Sequence, residues 1–299
     1  MKKPVFTGAC VAIVTPFRAT GEINYDEFKE IIDYQIAHGT DAITIMGTTG
    51  ESSAIPDKEH REAIAFGCEY VNGRVPVIAG AGSNDTAYAA DMTRHAASCG
   101  ADAVLSVTPY YNKTTQRGLI HHFNTIADAS DCPVILYNVP SRTGMGITAD
   151  TYAALSKHPN INGVKEASGN FSLIAEAMAL CGGELNFWSG NDNQVVPLMA
   201  MGGIGVISVL SNVCPQETHD LTALCFEGKY QEAMALQLKY LERINALFCE
   251  VNPIPVKAAM NLMGKNVGEP RLPLTVMEPQ HQEKLKKAMQ AFGLLPAAE

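Results

Sequence analysis

Residues 132–140 read CPVILYNVP, and the run between the two prolines is almost entirely apolar. A strand with one wet face alternates apolar and polar residues. A strand covered on both faces, as in a parallel sheet, reads instead as a continuous apolar run. The stretch therefore predicts a buried strand of a parallel sheet.

Seven further segments share this composition. They are ACVAIVTPF from Ala9, DAITIMG from Asp41, VPVIAGAG from Val75, ADAVLSVTP from Ala101, INGVKEAS from Ile161, LNFWSGND from Leu185 and GIGVISV from Gly203. Amphipathic segments that end on glycine, such as residues 25–39 and 57–73, lie between most of them. Eight such strand–helix units predict an α/β protein with a TIM (β/α)8 barrel rather than an open, doubly wound sheet.

The strand pattern stops after Gly228, and the remaining segments are amphipathic and helical in character. We therefore expect a barrel domain over residues 1–228, which carries the active site, and a small C-terminal helical domain over residues 229–299.

Composition excludes several classes of function. The 299 residues carry a formal net charge of -9, which argues against nucleic acid or an anionic membrane as partner. No apolar run approaches the roughly 20 residues of a membrane-spanning helix. The eight cysteines form no C-x-x-C pair, as expected for reduced thiols in a cytoplasmic protein. The start, MKK followed by TGAC, lacks the apolar segment of a lipoprotein signal.

A lysine interrupts the sixth predicted strand near its carboxyl end, the end at which TIM-barrel active sites lie. Lys165 and Glu166 must point to opposite faces, because side chains alternate along a strand. If Lys165 points inward, burial favours its neutral amine, the form that attacks a ketone to make a Schiff base, and Glu166 faces the helices. If Lys165 points outward, its stem lies along a helix instead. The strand alone leaves both orientations open.

Other predicted strand ends carry complementary chemistry. The loop GTTGESS at residues 47–53 offers backbone N–H groups and hydroxyls to a carboxylate. Tyr110 and Tyr111 lie at the end of the fourth strand. Tyr137 lies among the last residues of the fifth strand, and Arg142 lies on the loop after it. Tyrosines relay protons and arginine grips carboxylates, although each residue alone fits ordinary packing or solvent exposure equally well. Together they predict an active site at one end of the barrel.

Six motifs in order (GTTGES, TPYYN, YNVPSRTG, GVKEASGN, SGND and GIGVISV) resemble the 4-hydroxy-tetrahydrodipicolinate synthase family, also called dihydrodipicolinate synthase. This family belongs to the N-acetylneuraminate lyase superfamily of class I aldolases, and NPIPVK and RLPL near the end of the chain fit it as well. The resemblance implies a lyase that condenses pyruvate with L-aspartate 4-semialdehyde, in the first committed step of diaminopimelate and lysine biosynthesis. It also implies a homotetramer, built as a dimer of dimers, that works without metal or organic cofactor.

The resemblance assigns roles to eight residues. Lys165 attacks the keto carbon of pyruvate, and Tyr137 moves protons at the Schiff base. Thr48 and a Tyr111 from the neighbouring subunit complete a proton relay. Thr49 binds the pyruvate carboxylate, and Arg142 binds the carboxylate of the second substrate. Backbone groups of Gly190 and Ile207 line the pocket.

One departure concerns regulation. Family members that L-lysine inhibits carry a glutamate early in the helix after strand three, where this chain has Tyr88, and Asp57 replaces a frequent histidine. The matching positions are Ser52, Asn84 and Tyr110. We expect a remnant of the effector site, formed by Ser52, Asn84, Tyr88 and Tyr110, with weak or absent inhibition by lysine.

Four alternatives compete with this interpretation. N-acetylneuraminate lyase and the 2-keto-3-deoxy sugar acid aldolases share the lysine and the tyrosine, but generally lack Arg142 within PSRTG and the paired threonines. A barrel that only binds a metabolite would leave the assembled residues unexplained. Residues 144–149 fit G-x-G-x-x-A of dinucleotide sites, with Glu166 as the ribose-binding acid, but PSRT separates them from the strand. GGIGVIS, from residue 202, fits either phosphate binding or close packing.

Metal-dependent hydrolysis finds no support in the sequence. There is no H-E-x-x-H motif, and the pair His121–His122 is expected on a helix with packing roles.

Overall fold

The structure, a computed structural model, describes residues 2–296. Eight parallel strands hydrogen-bond in chain order and close into a barrel through the β1–β8 pair. This confirms the predicted TIM barrel. Seven of the eight strands lie inside their predicted segments, and β1 begins at Gly8, one residue before its segment. The strands are β1 Gly8–Ala12, β2 Ala42–Ile45, β3 Val77–Gly80, β4 Ala103–Val107, β5 Val134–Asn138, β6 Ile161–Glu166, β7 Asn186–Ser189 and β8 Gly205–Ser208.

Helices cover the outside of the barrel. Several begin at a side-chain cap, which satisfies N–H groups that the first turn leaves free. Asp85 caps one such helix by accepting hydrogen bonds from the N–H groups of Ala87 and Tyr88. The helices up to the last strand are α1 Tyr25–Ala37, α2 Asp57–Val71, α3 Thr86–Ser98, α4 Gln116–Ala127, α5 Pro140–Thr143, α6 Ala149–Leu155, α7 Phe171–Cys181 and α8 Val195–Ala200.

The last four helices are α9 Pro215–Phe226, α10 Tyr230–Ala246, α11 Ile254–Leu262 and α12 Pro279–Ala291. Helix α9 packs on β1, while α12 packs on α10 and α11. The helical C-terminal appendage is therefore as expected, and its boundary at residue 228 stays a prediction. Across the described residues, no helix is long and apolar enough to cross a membrane.

Glycines close the barrel at the amino end of β8. Gly205 has φ +149°, and a Cβ there would overlap the carbonyl oxygen of Gly8 on β1. A Cβ at Gly203 would overlap the side chain of Leu198 in the same way. At the end opposite the predicted site, Gly205 therefore allows close approach of the β1 and β8 backbones, and Gly203 leaves room for Leu198. This geometry favours the packing interpretation of GGIGVIS over phosphate binding.

Candidate active site

Lys165 points into the barrel. On β6 it lies beside Tyr137 of β5 and Trp188 of β7, and only 5% of its surface is exposed. Its Nζ lies 4.6 Å from the centroid of the Tyr137 ring, within the range of a cation–π contact. Of the two orientations that the strand left open, the structure has the inward one.

Glu166 points the other way, into the helix layer. Its carboxylate accepts hydrogen bonds from the Tyr152 hydroxyl at 2.6 Å, the Asn138 amide at 3.0 and 3.2 Å and the Ser168 N–H at 2.7 Å. Burial, together with this carboxylate, raises the pKa of Tyr152 well above its usual value. Because Glu166 is buried and fully paired, it is not free to bind a ribose. This pairing and the closed barrel argue against a dinucleotide site.

Small and apolar groups leave room around the lysine. A Cβ at Gly190 would lie 3.2 Å from two side-chain carbons of Lys165, so glycine there keeps the lysine uncrowded. Ile207 is fully buried in the inner apolar cluster that also contains Tyr137 and Trp188. Cys10 lies in the same cluster, where burial raises the pKa of its thiol to about 12. The buried thiol is therefore a poor nucleophile, and Lys165 is the better candidate in the barrel interior.

The loop after β2 presents the paired threonines. Thr48 is half-buried, whereas Thr49 is buried and its Oγ1 accepts a hydrogen bond from the Asn252 amide at 3.0 Å. Glu51 has φ +59°, in the left-handed region, and is buried to 2% exposure. A non-glycine residue in that conformation needs support from its surroundings. The C-terminal residues that bind Glu51 give this support.

Glu51 accepts hydrogen bonds from the Lys257 ammonium at 2.9 Å and from the Arg271 N–H at 2.8 Å. The same ammonium donates to the carbonyl oxygens of Thr15 and Glu269, both at 3.1 Å. Burial lowers the pKa of Lys257 to about 8, although the Glu51 carboxylate opposes that shift. The C-terminal segment thus holds the loop that carries Thr48 and Thr49.

A cavity of about 390 Å³ opens beside the loop after β2. Thr48 lies on its wall together with Arg142, whose Nη2 donates to the carbonyl oxygen of Asn252 at 3.1 Å. A smaller cavity, of about 40 Å³, is lined by Thr48 and Tyr137. Thr48 therefore lines both cavities, the smaller one with Tyr137 and the larger one with Arg142. Tyr111 lies apart, 93% exposed and with φ +66°.

The predicted effector residues meet at the same mouth. Ser52, Tyr88 and Tyr110 line the larger cavity, and the Asn84 amide donates to the Tyr110 carbonyl oxygen at 3.1 Å. The Tyr88 hydroxyl donates to Asp57 at 2.9 Å. Burial and this carboxylate raise the pKa of Tyr88 to about 12. Tyr88 and Asp57, the two residues that depart from the family pattern, are therefore hydrogen-bonded to each other.

Sequence reasoning missed three residues at this site: Glu51, Asn252 and Lys257. NPIPVK was noted only as part of a resemblance, and the chain places it about 200 residues from the loop it contacts, since Asn252 and Thr49 are 203 positions apart. His122 packs edge-on against Phe123 and bonds Thr86 at 2.8 Å, as expected for a helix residue with a packing role. Within residues 2–296, no group of three or more histidine, cysteine or acidic side chains is arranged to hold a metal ion.

Comparison with known proteins gives a consistent assignment. The model of the Dihydrodipicolinate synthetase family matches residues 5–292. The 4-hydroxy-tetrahydrodipicolinate synthase of Caldicellulosiruptor saccharolyticus is 53% identical over 97% of this chain and 98% of its own length.

Two solved structures are similar over nearly the whole chain. The dihydrodipicolinate synthase of Acinetobacter baumannii, complexed with pyruvate, gives a TM-score of 0.94 at 40% identity, covering 97% of this chain and 99% of that one. The enzyme of Cyanidioschyzon merolae with lysine bound gives 0.95 at 40% identity, covering 98% and 100%. With the family match spanning nearly every residue, this chain belongs to the dihydrodipicolinate synthetase family.

Proposed function

We propose that this chain condenses pyruvate with L-aspartate 4-semialdehyde to give 4-hydroxy-tetrahydrodipicolinate. The observation that carries the proposal is the buried Lys165 at the carboxyl end of β6, with its Nζ 4.6 Å from the Tyr137 ring centroid. The curated relative with 53% identity has the same activity in its name. We place this step in the diaminopimelate and lysine pathway.

The chemistry needs a neutral amine in a dry pocket. The Lys165 amine attacks the keto carbon of pyruvate, water leaves, and an imine forms. Loss of a proton from the methyl carbon gives an enamine, whose carbon bonds to the aldehyde carbon of the second substrate, while the aldehyde oxygen takes up a proton. The amine of the second substrate then attacks the imine carbon, which closes the ring and releases Lys165.

The protons of this sequence need carriers close to the lysine. Tyr137 is its neighbour in the barrel, and Thr48 lines the small cavity together with Tyr137. Tyr111 is too exposed to serve the site of its own chain, and its position suits donation into the site of a neighbouring subunit. We therefore propose a relay of Tyr137, Thr48 and the Tyr111 of a second copy, within a homotetramer. Light scattering of the purified protein tests the assembly.

The carboxylates of the two substrates need separate holders. Thr49, buried beside the barrel mouth, suits the pyruvate carboxylate, and Arg142 on the cavity wall suits that of the semialdehyde. Backbone groups of Gly190 and Ile207 complete the pocket. We also propose that lysine inhibits weakly, because Tyr88 and Asp57 bind each other where an effector ammonium needs a free carboxylate.

Turnover measured with a coupled reductase tests the proposal. Lys165→Ala should abolish turnover, and Arg142→Ala should weaken it sharply, with the larger effect on the KM of the semialdehyde. Lys157→Ala removes an exposed lysine on the loop before β6 and is the matched control, with unchanged turnover. Borohydride with pyruvate should add a reduced adduct to Lys165 alone. A folded wild-type protein that gives neither turnover nor adduct contradicts the proposal.

A further inference from the structure

Asn252 touches both residues proposed to hold substrate carboxylates. Its side-chain amide donates to Thr49 Oγ1 at 3.0 Å, and its backbone carbonyl accepts from Arg142 Nη2 at 3.1 Å. The residue is 5% exposed and lies just before α11, outside the eight strands of the barrel. A single C-terminal residue therefore bridges the loop after β2 and the loop after β5.

The direction of the first hydrogen bond matters. A threonine hydroxyl has one proton to donate and two lone pairs that accept. Because the Asn252 amide donates, it occupies a lone pair of Thr49 and leaves the hydroxyl proton available. Within residues 2–296, no protein group accepts that proton, and Asn252 Oδ1 is itself buried without a partner. The Thr49 hydroxyl proton is thus left for donation to an anionic ligand.

The surroundings keep this arrangement rigid. Glu51, two residues after Thr49, is anchored by Lys257 at 2.9 Å and by the Arg271 N–H at 2.8 Å. Thr15 adds a hydrogen bond from its hydroxyl to the Gly50 carbonyl oxygen at 2.6 Å. Thr49 therefore has little freedom to turn its hydroxyl by moving the loop. Whether the Thr49 hydroxyl donates or accepts therefore depends on the residue that faces it, Asn252.

We propose that Asn252 is a positioning residue, which directs the Thr49 hydroxyl proton toward the carboxylate of the keto acid and holds Arg142, through its backbone, for the carboxylate of the aldehyde substrate. The proposal rests on the proposed function and adds to it a residue from the C-terminal segment. It predicts that the side chain of Asn252 governs affinity for the first substrate only, because Arg142 contacts the backbone.

Asn252→Asp tests this polarity at constant shape. A carboxylate cannot donate, so it must accept the Thr49 proton and remove it from the substrate. Loss of a hydrogen bond to a charged group should raise the half-saturating pyruvate concentration about 10- to 100-fold. The KM of the aldehyde substrate should change less than about threefold. Asn266→Asp places the same charge on an exposed residue of the same segment, and it should behave like wild type.

The readout is borohydride trapping of Lys165 at increasing pyruvate concentration, which does not need the second substrate. A wild-type protein that pyruvate does not modify overturns the proposed function itself. If pyruvate traps the wild type and the half-saturating pyruvate concentration of Asn252→Asp lies within threefold of the wild-type value, only the role of Asn252 is overturned.

A double-mutant cycle with Thr49→Val separates polarity from simple charge repulsion. If Asn252 acts through the Thr49 hydroxyl, Asn252→Asp should have little further effect once that hydroxyl is gone. An equal loss in both backgrounds refutes the proposal. Should the aspartate variant not fold, Asn252→Ala removes the donor without adding charge. The alanine variant should raise the half-saturating pyruvate concentration less, about three- to tenfold, and this rise must likewise vanish in the Thr49→Val background.

Discussion

Replacing Lys257 with methionine should destabilise the protein strongly. The Lys257 side chain is 1% exposed, and its three donors are taken by Glu51 and by the carbonyl oxygens of Thr15 and Glu269. Lys257→Met leaves a buried carboxylate without its counter-charge and two carbonyl groups without a donor. Breaking a buried ion pair in this way costs about 3–5 kcal/mol.

The intact pair is nevertheless not a large source of stability. The pKa of Lys257 falls from 10.5 to about 8, which corresponds to about 3 kcal/mol against the charged form. Between pH 8 and 10.5 the unfolded chain holds this proton while the folded chain has released it. The lysine therefore makes stability rise with pH over that window, and below pH 8 its cost is constant. Removing both charges, in Glu51→Gln with Lys257→Met, should recover most of the stability lost in the single variant.

Urea unfolding measures these differences. Trp188 is the only tryptophan and is fully buried, so its fluorescence reports loss of the barrel interior. Protein concentration must be held fixed, because assembly shifts the apparent stability. Lys229→Met removes one partner of an exposed pair with Glu227 and should leave the urea midpoint close to that of wild type. A Lys257→Met variant within 1 kcal/mol of wild type, or a double variant no better than the single one, refutes the reasoning.

Three further outcomes follow from the packing of the barrel. Gly205→Ala should destabilise by at least about 1–3 kcal/mol in the same urea assay, because its Cβ would overlap the Gly8 carbonyl oxygen, and a stable variant would mean that the β1–β8 pair yields easily. Tyr152→Phe should cost about 1.5–3 kcal/mol by removing the 2.6 Å hydrogen bond to buried Glu166, while the KM of pyruvate stays unchanged; a raised KM would place Glu166 in the chemistry. Native protein treated with iodoacetamide at neutral pH should be alkylated only at the two half-buried cysteines, Cys99 and Cys249, as measured by mass spectrometry. Modification of any other thiol would show that the core opens.

The strands could be predicted from sequence because each depends on local composition. A continuous apolar run such as residues 132–140 indicates burial on both faces whatever surrounds it. The positions of Lys165 and Arg142 at one end of the barrel were predictable for a related reason, since the carboxyl ends of parallel strands meet there, although the strand alone left the orientation of Lys165 open. The position of Tyr111 was not predictable from the residues alone, because its exposure depends on a left-handed backbone conformation at φ +66°.

The support for the site depends on contacts between distant parts of the chain. Asn252 meets Thr49 across 203 positions, and Lys257 meets Glu51 across 206. Hydrophobic periodicity places α11 on the barrel surface but does not say which loop its amino end will touch. Glu51 looked like one more polar residue of a carboxylate-binding loop, and only its buried, left-handed conformation shows that it anchors the loop.

Two buried lysines in one barrel show why burial alone does not identify a nucleophile. Lys257 has all three donors satisfied by oxygen atoms, so its nitrogen is held in an ion pair and has no free direction of attack. Lys165 is nearly as buried, yet within residues 2–296 its ammonium has no oxygen acceptor and lies against the face of Tyr137. An amine without fixed partners is free to turn toward a carbonyl carbon. The difference in hydrogen bonding, more than the depth of burial, therefore favours Lys165 as the proposed nucleophile and fits Lys257 to the support of the loop.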